Sequence, residues 1–239
     1  MSATFRTSLT ALQQAQKTSK GAPAYSRLVN RPFGRLLAAS AHVIGLTPNQ
    51  VTCISALVTF SGIALIALVE ATAVISVTAA GLLVIGYALD AADGQLARLR
   101  GGGSVAGEWL DHVVDAIKIA ALHTSVLINW YRFEDVSDRS LLLPIAFQVV
   151  ATIMFFVIIL NDQIRRAHRG TTQMLLQGDG SSSTLYSLAV LPTDYGVLCV
   201  VFGLMWWQGF VGLYALLLAA NAGFMGLALM KWYREMRRY

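Results

Sequence analysis

Apolar residues run along this chain in blocks long enough to cross a bilayer, separated by short polar segments. Such a pattern predicts helices embedded in lipid, because a spanning helix needs about 20 consecutive, mostly apolar residues. Four blocks meet that length, at roughly Pro48 to Val69, Ala71 to Arg100, Ser104 to Trp130 and Ser140 to Ile164. The stretch from Leu188 to Met230 is too long for one crossing, and Gln208-Gly209 is a natural break, giving a short fifth span and a longer sixth. Ahead of the first block, Arg27, Arg31 and Arg35 recur every four residues while Leu28, Leu36 and Leu37 fall elsewhere around the wheel. That stretch predicts an amphipathic helix on the membrane surface, its regularity limited by Pro32. The expected fold class is all-α, a polytopic membrane protein with six transmembrane helices and an N-terminal amphipathic surface helix. Residues 1–24 are expected to be a polar cytoplasmic tail, and 25–239 the membrane domain.

Basic residues set the orientation, since Lys and Arg near helix ends stay on the cytoplasmic side. With the N-terminus inside, the inner segments hold Arg6, Lys17, Lys20, Arg27, Arg31 and Arg35, then Arg98 and Arg100, then Arg165, Arg166 and Arg169, then Lys231, Arg234, Arg237 and Arg238. These are 15 of the 18 basic residues, and only Arg132 and Arg139 remain for the outer loops, beside Glu134, Asp135 and Asp138. Both termini are therefore expected in the cytoplasm, with the protein in the cell membrane.

Composition agrees with this picture and narrows the partners. The chain of 239 residues is 56% hydrophobic and 13% charged, with mean hydropathy +0.59. A net charge of +5 suits anionic headgroups better than nucleic acid, because the basic residues sit beside apolar spans and form no basic surface interleaved with aromatic residues. Met1 to Tyr25 carries no apolar core of the kind a cleaved leader needs. Cys53 and Cys199 lie in apolar runs without ligand spacing, as expected of packing residues. Gly178-Asp179-Gly180 is too short for a phosphate loop, and Gly180 to Ser183 is expected to be a loop tip. Trp130, Tyr131, Trp206 and Trp207 fall at the expected outer boundary, where amphipathic rings settle.

The candidate chemistry is carboxylate. An aspartate inside a span costs about 2.5 to 3.5 kcal/mol on insertion scales and usually marks function. Asp90 and Asp93 are three apart near the end of the second block; Asp111 and Asp115 are four apart near the start of the third. Each pair shares a helical face. The short link through Gly101, Gly102 and Gly103 predicts antiparallel neighbours, so that all four acids converge at one depth. Such a cluster repels itself unless neutralised, and oxygen-only ligands suit Mg2+ or Mn2+, as one ion or two. Gly94 and Ala97 remove bulk on the acidic side, and Arg98 follows within reach of phosphate. Lys118 lies on the stripe of Asp111 and Asp115, placed either to bridge the cluster or to meet an anionic substrate. Asn161, Asp162, Arg165 and Arg166, at the inner end of the fourth block, are candidates for an acceptor pocket. His112, beside Asp111, reads as a packing residue, and His42, His123 and His168 show no ligand spacing.

Taken together these positions spell Asp90-x-x-Asp93-Gly94-x-x-Ala97-Arg98, eight residues, Gly107-x-x-x-Asp111-x-x-x-Asp115, which resembles the signature of the CDP-alcohol phosphotransferase family at every defined position. The six-span layout and Thr47-Pro48-Asn49-x-x-Thr52 extend the resemblance beyond these 26 residues. It implies a homodimeric six-helix fold that transfers a phospho-alcohol group from a CDP-linked donor to a hydroxyl acceptor and releases CMP. It also implies two metal ions held by Asp90, Asp93, Asp111 and Asp115, with Asp90 and Asp111 bridging both. Asp115 is the expected base. Asn49, Thr52, Gly94, Ala97, Arg98, Ser104 and Gly107 are the expected donor-site positions, and Lys118, Arg165 and Arg166 the expected acceptor-side positions. Bacterial synthases of the family that make phosphatidylinositol phosphate or phosphatidylglycerol phosphate often carry a Ser-Tyr-x-Arg-Ala-Arg type segment in the fourth helix. Here Leu160-Asn161-Asp162-Gln163-Ile164-Arg165-Arg166 stands there instead, which points away from those acceptors. Ser26-Arg27-x-x-Asn30-Arg31-Pro32 is similar to the opening segment of members that use CDP-inositol. The leading expectation is a phosphatidyltransferase in phospholipid biosynthesis using CDP-diacylglycerol, followed by a transferase using a soluble CDP-polyol. A transporter with coupling carboxylates is a third reading.

Overall fold

The computed structural model describes residues 4–14, 23–170 and 184–239, and among them every regular element is helical. In chain order these are α1 (Phe5–Gln14), α2 (Arg31–Val43), α3 (Pro48–Leu68), α4 (Ala73–Leu99), α5 (Val105–Phe133), α6 (Leu142–Arg169), α7 (Thr184–Ala189), α8 (Tyr195–Val201) and α9 (Phe210–Met236). The predicted glycine loop tip around Gly180 lies outside the described residues.

Among the described residues, five helices, α3, α4, α5, α6 and α9, are long and apolar enough to cross a membrane. The stretch expected to form the short fifth crossing is broken into α7, a 3-10 turn at Leu191–Thr193, α8 and a second 3-10 turn at Phe202–Leu204. Pro192 and Asp194 account for the first interruption. The proline sits in the first positions of its turn, and the Asp194 carboxylate accepts the Gly196 N–H at 2.9 Å, starting a new helix. The N-terminal tail contains a helix of its own, with Leu12 and Ser8 buried as α1 packs on α2. The Ser8 hydroxyl lies 2.8 Å from His42 Nδ1. Before α2, residues Ser26–Asn30 form a π-turn in which the Arg31 N–H reaches back to the Ser26 carbonyl. Pro32 has no N–H to continue a regular ladder, and the wider turn is the local answer.

Helix starts follow the sequence closely. Thr47 and Gln50 form a capping box at α3, with Pro48 in its first turn. Thr72 caps α4 and Ser104 caps α5. Between α4 and α5, Gly101 and Gly102 take φ of 93° and 127°, a region that side-chain-bearing residues avoid.

The central packing is α3 against α4. In lipid there is little hydrophobic drive between helices, so close van der Waals contact and interhelical hydrogen bonds must hold them. Small residues permit it: a Cβ at Gly86 would overlap the Thr59 hydroxyl, and one at Gly62 would come within 3.1 Å of the Ala79 carbonyl. The Ser55 hydroxyl donates to the Gly86 carbonyl at 2.8 Å across the same seam. On another face of α4, Gly34 of α2 lies so close that a Cβ would stand 2.9 Å from that of Ala91. α5 also packs on α3, where the Asn129 amide donates to the Ile66 and Val69 carbonyls at 2.8 and 2.9 Å and closes the end of α3.

Two expectations change here. α4 and α5 do not pack mainly on each other; both lean on α3, and their acidic segments face across the space between them. Trp130, expected at the outer boundary, is instead 2% exposed, wedged edge-on against Phe210 and Tyr214 of α9. α5 continues beyond it to Phe133, which moves the indole below the surface. Nearby, His123 shares a 2.6 Å hydrogen bond with the Tyr214 hydroxyl and stacks on Phe147, so it belongs to the core.

Candidate active site

The site is assembled from the last turns of α4, the first turns of α5 and the start of α3. Three-residue spacing puts Asp90 and Asp93 on one side of α4, and four-residue spacing puts Asp111 and Asp115 on one side of α5. Asp90, Asp93 and Asp111 each present a carboxylate oxygen, and these oxygens all lie within 4.8 Å of one another. Asp93 is 6% exposed, and its Oδ2 accepts the Thr52 hydroxyl at 2.6 Å. Thr52 thereby ties the carboxylate of α4 to α3.

Asp115 has a different arrangement. Its Oδ1 accepts from Lys118 Nζ at 3.1 Å, and the same ammonium donates to Asp90 Oδ1 at 2.5 Å. Of the two roles open to Lys118 in the sequence, this structure displays the bridge. The convergence of the acids is therefore three plus one, with a protein cation between the fourth acid and Asp90.

The remaining donor-site candidates lie at the start of α3, the end of α4 and the start of α5. Asn49 sits in the first turn of α3, and a Cβ on Gly107 would come 3.0 Å from Asn49 Oδ1 and 3.2 Å from Ser104 Oγ. Gly107 thus lets α3 approach the start of α5, while Ser104 accepts the Gly107 N–H at 3.0 Å. The first atom a Cβ at Gly94 would meet is the Arg98 guanidinium, at 3.5 Å. Arg98 and Ala97 are half-buried. Gln95 is 2% exposed and donates to the Arg31 carbonyl at 3.1 Å, fastening α2 to α4 beside the acidic segment. Arg31 itself is held below its usual range, first by burial and next by the Arg27 charge, against an opposing effect of Tyr87.

The acceptor-side candidates divide. Arg166 bonds Asp162 at 2.6 Å and Glu108 at 2.7 Å, and Glu108 precedes Asp111 by one turn on α5, so this guanidinium stands beside the acidic cluster. Glu108 is a further candidate at this edge of the cluster, and its three-residue spacing from Asp111 is the signal in the sequence that places it there. His112 stands 3.7 Å from the same glutamate. Arg165 turns to α9, where its Nε and one terminal nitrogen grip both oxygens of Glu235 at 2.8 and 2.7 Å. Asn161 is 3% exposed, and its amide nitrogen has no hydrogen-bond partner.

Oxygen donors gathered at this spacing fit a hard divalent cation, because like charges so close need one to offset their repulsion. The fold and site thus define a polytopic α-helical membrane protein with a carboxylate centre at one end of its bundle. A family profile described as CDP-alcohol phosphatidyltransferase matches residues 45–230, and the chain belongs to that family. It is accordingly an enzyme of the class that transfers a phospho-alcohol group from a CDP-linked donor.

Comparison with curated proteins returned no match. Among solved structures, the fold is similar to that of Mycobacterium tuberculosis phosphatidylinositol phosphate synthase (PgsA1) in several forms. The apo form aligns with TM-score 0.57 at 21% identity, over 82% of this chain and 94% of the other. The form in complex with manganese and citrate aligns with TM-score 0.55 at 22% identity, over 86% and 89%. The form with CDP-DAG bound aligns with TM-score 0.54 at 21% identity, over 86% and 94%.

Proposed function

We propose that this protein transfers a phosphatidyl group from CDP-diacylglycerol to a hydroxyl acceptor and releases CMP, with two divalent ions, Mg2+ or Mn2+, held by Asp90, Asp93, Asp111 and Asp115. The observation that carries this is the meeting of Asp90, Asp93 and Asp111 oxygens from two helices within 4.8 Å, inside a family match covering residues 45–230. The similarly folded synthase described with CDP-DAG bound, and in another form with manganese, supports a lipid donor and a divalent metal. Bound metal would neutralise the donor diphosphate and ease departure of CMP.

The chain's own residues then position and accept. Arg98, beside the small residues Gly94 and Ala97, takes donor phosphate, while Asn49, Thr52, Ser104 and Gly107 shape the nucleotide side. The acceptor oxygen bonds to the phosphorus that carries the alcohol, the bond from that phosphorus to the bridging oxygen of CMP breaks, and Asp115 takes the hydroxyl proton. On the acceptor side, the unmet Asn161 amide and the Arg166, Asp162 and Glu108 cluster offer polar contacts. Arg166 already serves two carboxylates, so a phosphorylated acceptor would have to compete for it. This favours an uncharged hydroxyl acceptor, in agreement with the missing Ser-Tyr-x-Arg-Ala-Arg segment. Basic residues at the helix ends near the site support a cytoplasmic active site with both termini inside, and family resemblance supports a homodimer. Residues 25–239 form the catalytic membrane domain in this reading, preceded by the segment 1–24.

The test is CMP release by purified protein offered CDP-diacylglycerol or CDP-inositol with a panel of polyols, with and without a chelator. Release from the lipid donor, lost on chelation and restored by Mg2+ or Mn2+, is expected. Release from CDP-inositol alone would transfer the reading to the soluble donor. Undiminished release in Asp93→Asn and Asp115→Asn would remove the carboxylate site from catalysis.

A further inference from the structure

Lys118 is buried at the acidic cluster, with 7% of its side chain exposed, and it is the ammonium that joins Asp90 of α4 to Asp115 of α5. Asp90, Asp93 and Asp111 converge directly, while Asp115 is engaged through the ammonium, which also holds one oxygen of Asp90. An ammonium has three donor positions and no acceptor, so it fills the space between two carboxylates much as a small cation does. It is covalently fixed three residues after Asp115, and its local concentration never falls.

We propose that Lys118 is a built-in counter-ion that occupies the second cation position, so that the protein without donor binds one divalent ion at Asp90, Asp93 and Asp111, and a second enters only when the Lys118 ammonium is displaced. This inference rests on the metal-dependent reading above and refines it. Asp90 has a second oxygen for the first ion, and Asp93 and Asp111 need not move. The second ion must take Asp115 from Lys118, and it meets a positive charge already in place. Displacement is feasible because the lysine stem is flexible and the ammonium needs only a new anion. The diphosphate of an arriving donor supplies one. Loading of the second ion then follows donor binding, and the four aspartates avoid gathering two divalent ions on an empty site.

The experiment is equilibrium Mn2+ binding to the full chain in lipid nanodiscs without nucleotide, with free Mn2+ read by electron paramagnetic resonance. One ion per chain is expected for the wild type. Two are expected for Lys118→Met, the second at least about tenfold tighter than any second ion in the wild type. Lys118→Arg, which keeps the charge, should return to one. Adding Asp115→Asn to Lys118→Met should abolish the second ion and spare the first. Thermal unfolding adds a separate reading: metal-free Lys118→Met should melt below wild type and recover with Mn2+, whereas a purely structural lysine would leave a deficit that metal does not repair. Two ions in the wild type, or one in Lys118→Met, would overturn the counter-ion role and leave the metal site standing. No ion in any variant would overturn the metal site itself, and the inference with it.

Discussion

The Thr52 hydroxyl donates to Asp93 Oδ2 at 2.6 Å, joining residues 41 positions apart on α3 and α4. The bond orients a buried carboxylate from outside its own helix, as supporting hydrogen bonds commonly do around metal ligands. Thr52→Val should keep the volume and lose the bond. A hydrogen bond to a charged group contributes about 1.5–3 kcal/mol, so metal affinity should fall by roughly tenfold to a hundredfold, read by Mn2+ titration, with Thr52→Ser near wild type.

Asp93→Asn and Asp111→Asn each remove one of the converging charges. CMP release should drop by about a hundredfold or more, as when other charge-stabilising groups are deleted from active sites. The metal-free protein should unfold at an equal or higher temperature, because repulsion among the acids is relieved. Paired activity and melting measurements check both signs.

Gly86 faces Thr59 so closely that any side chain collides with the hydroxyl. Gly86→Val should destabilise by about 1–3 kcal/mol, the usual cost of overpacking. Gly81, with nothing within 4 Å of a Cβ position, is the control. Gly81→Ala should unfold at or above the wild-type temperature, since alanine is the better helix former.

Arg165 and Glu235 form a two-point grip between α6 and α9 with side chains 12% and 30% exposed. A double-mutant cycle with Arg165→Gln and Glu235→Gln should return a coupling of about 1 kcal/mol, at the upper end for partly exposed pairs. For the acceptor KM, Arg166→Gln should have the larger effect, since Arg166 borders the acidic cluster and Arg165 does not share its partners.

Glu134, at the C-terminal end of α5, is held above the usual glutamate range by partial burial and, secondarily, by the charge of Glu70. The folded state therefore keeps a proton that the unfolded state has released. Stability is greatest below the ordinary glutamate value of 4.5 and declines as pH rises from there through the raised folded value. Glu134→Gln should flatten that decline in melting temperature. The difference should be small, because the side chain is exposed.

The aspartate pairs of the candidate site could be read from the chain because their geometry is local. Three- and four-residue spacing places each aspartate pair on a helix face whatever surrounds it, and Thr47, Ser104 and the glycines of the α4–α5 link announce helix ends by their own chemistry. What could not be read was pairing between distant segments. Nothing near Arg165 indicates Glu235, 70 residues away, and nothing near Ser26 indicates that its N–H donates to Asp194 across 168 residues.

By itself the sequence determined the membrane class, the order of the long helices and the identity of the carboxylates, since hydropathy and helical period are properties of neighbouring residues. Tertiary structure alone decided that α4 and α5 lean on α3, that Lys118 bridges Asp90 and Asp115, and that Trp130 lies in the core. Those outcomes depend on how closely helices approach. That distance is set where Gly62 and Gly86 meet α4 and α3 in turn, by contacts that exist only once the whole bundle has formed.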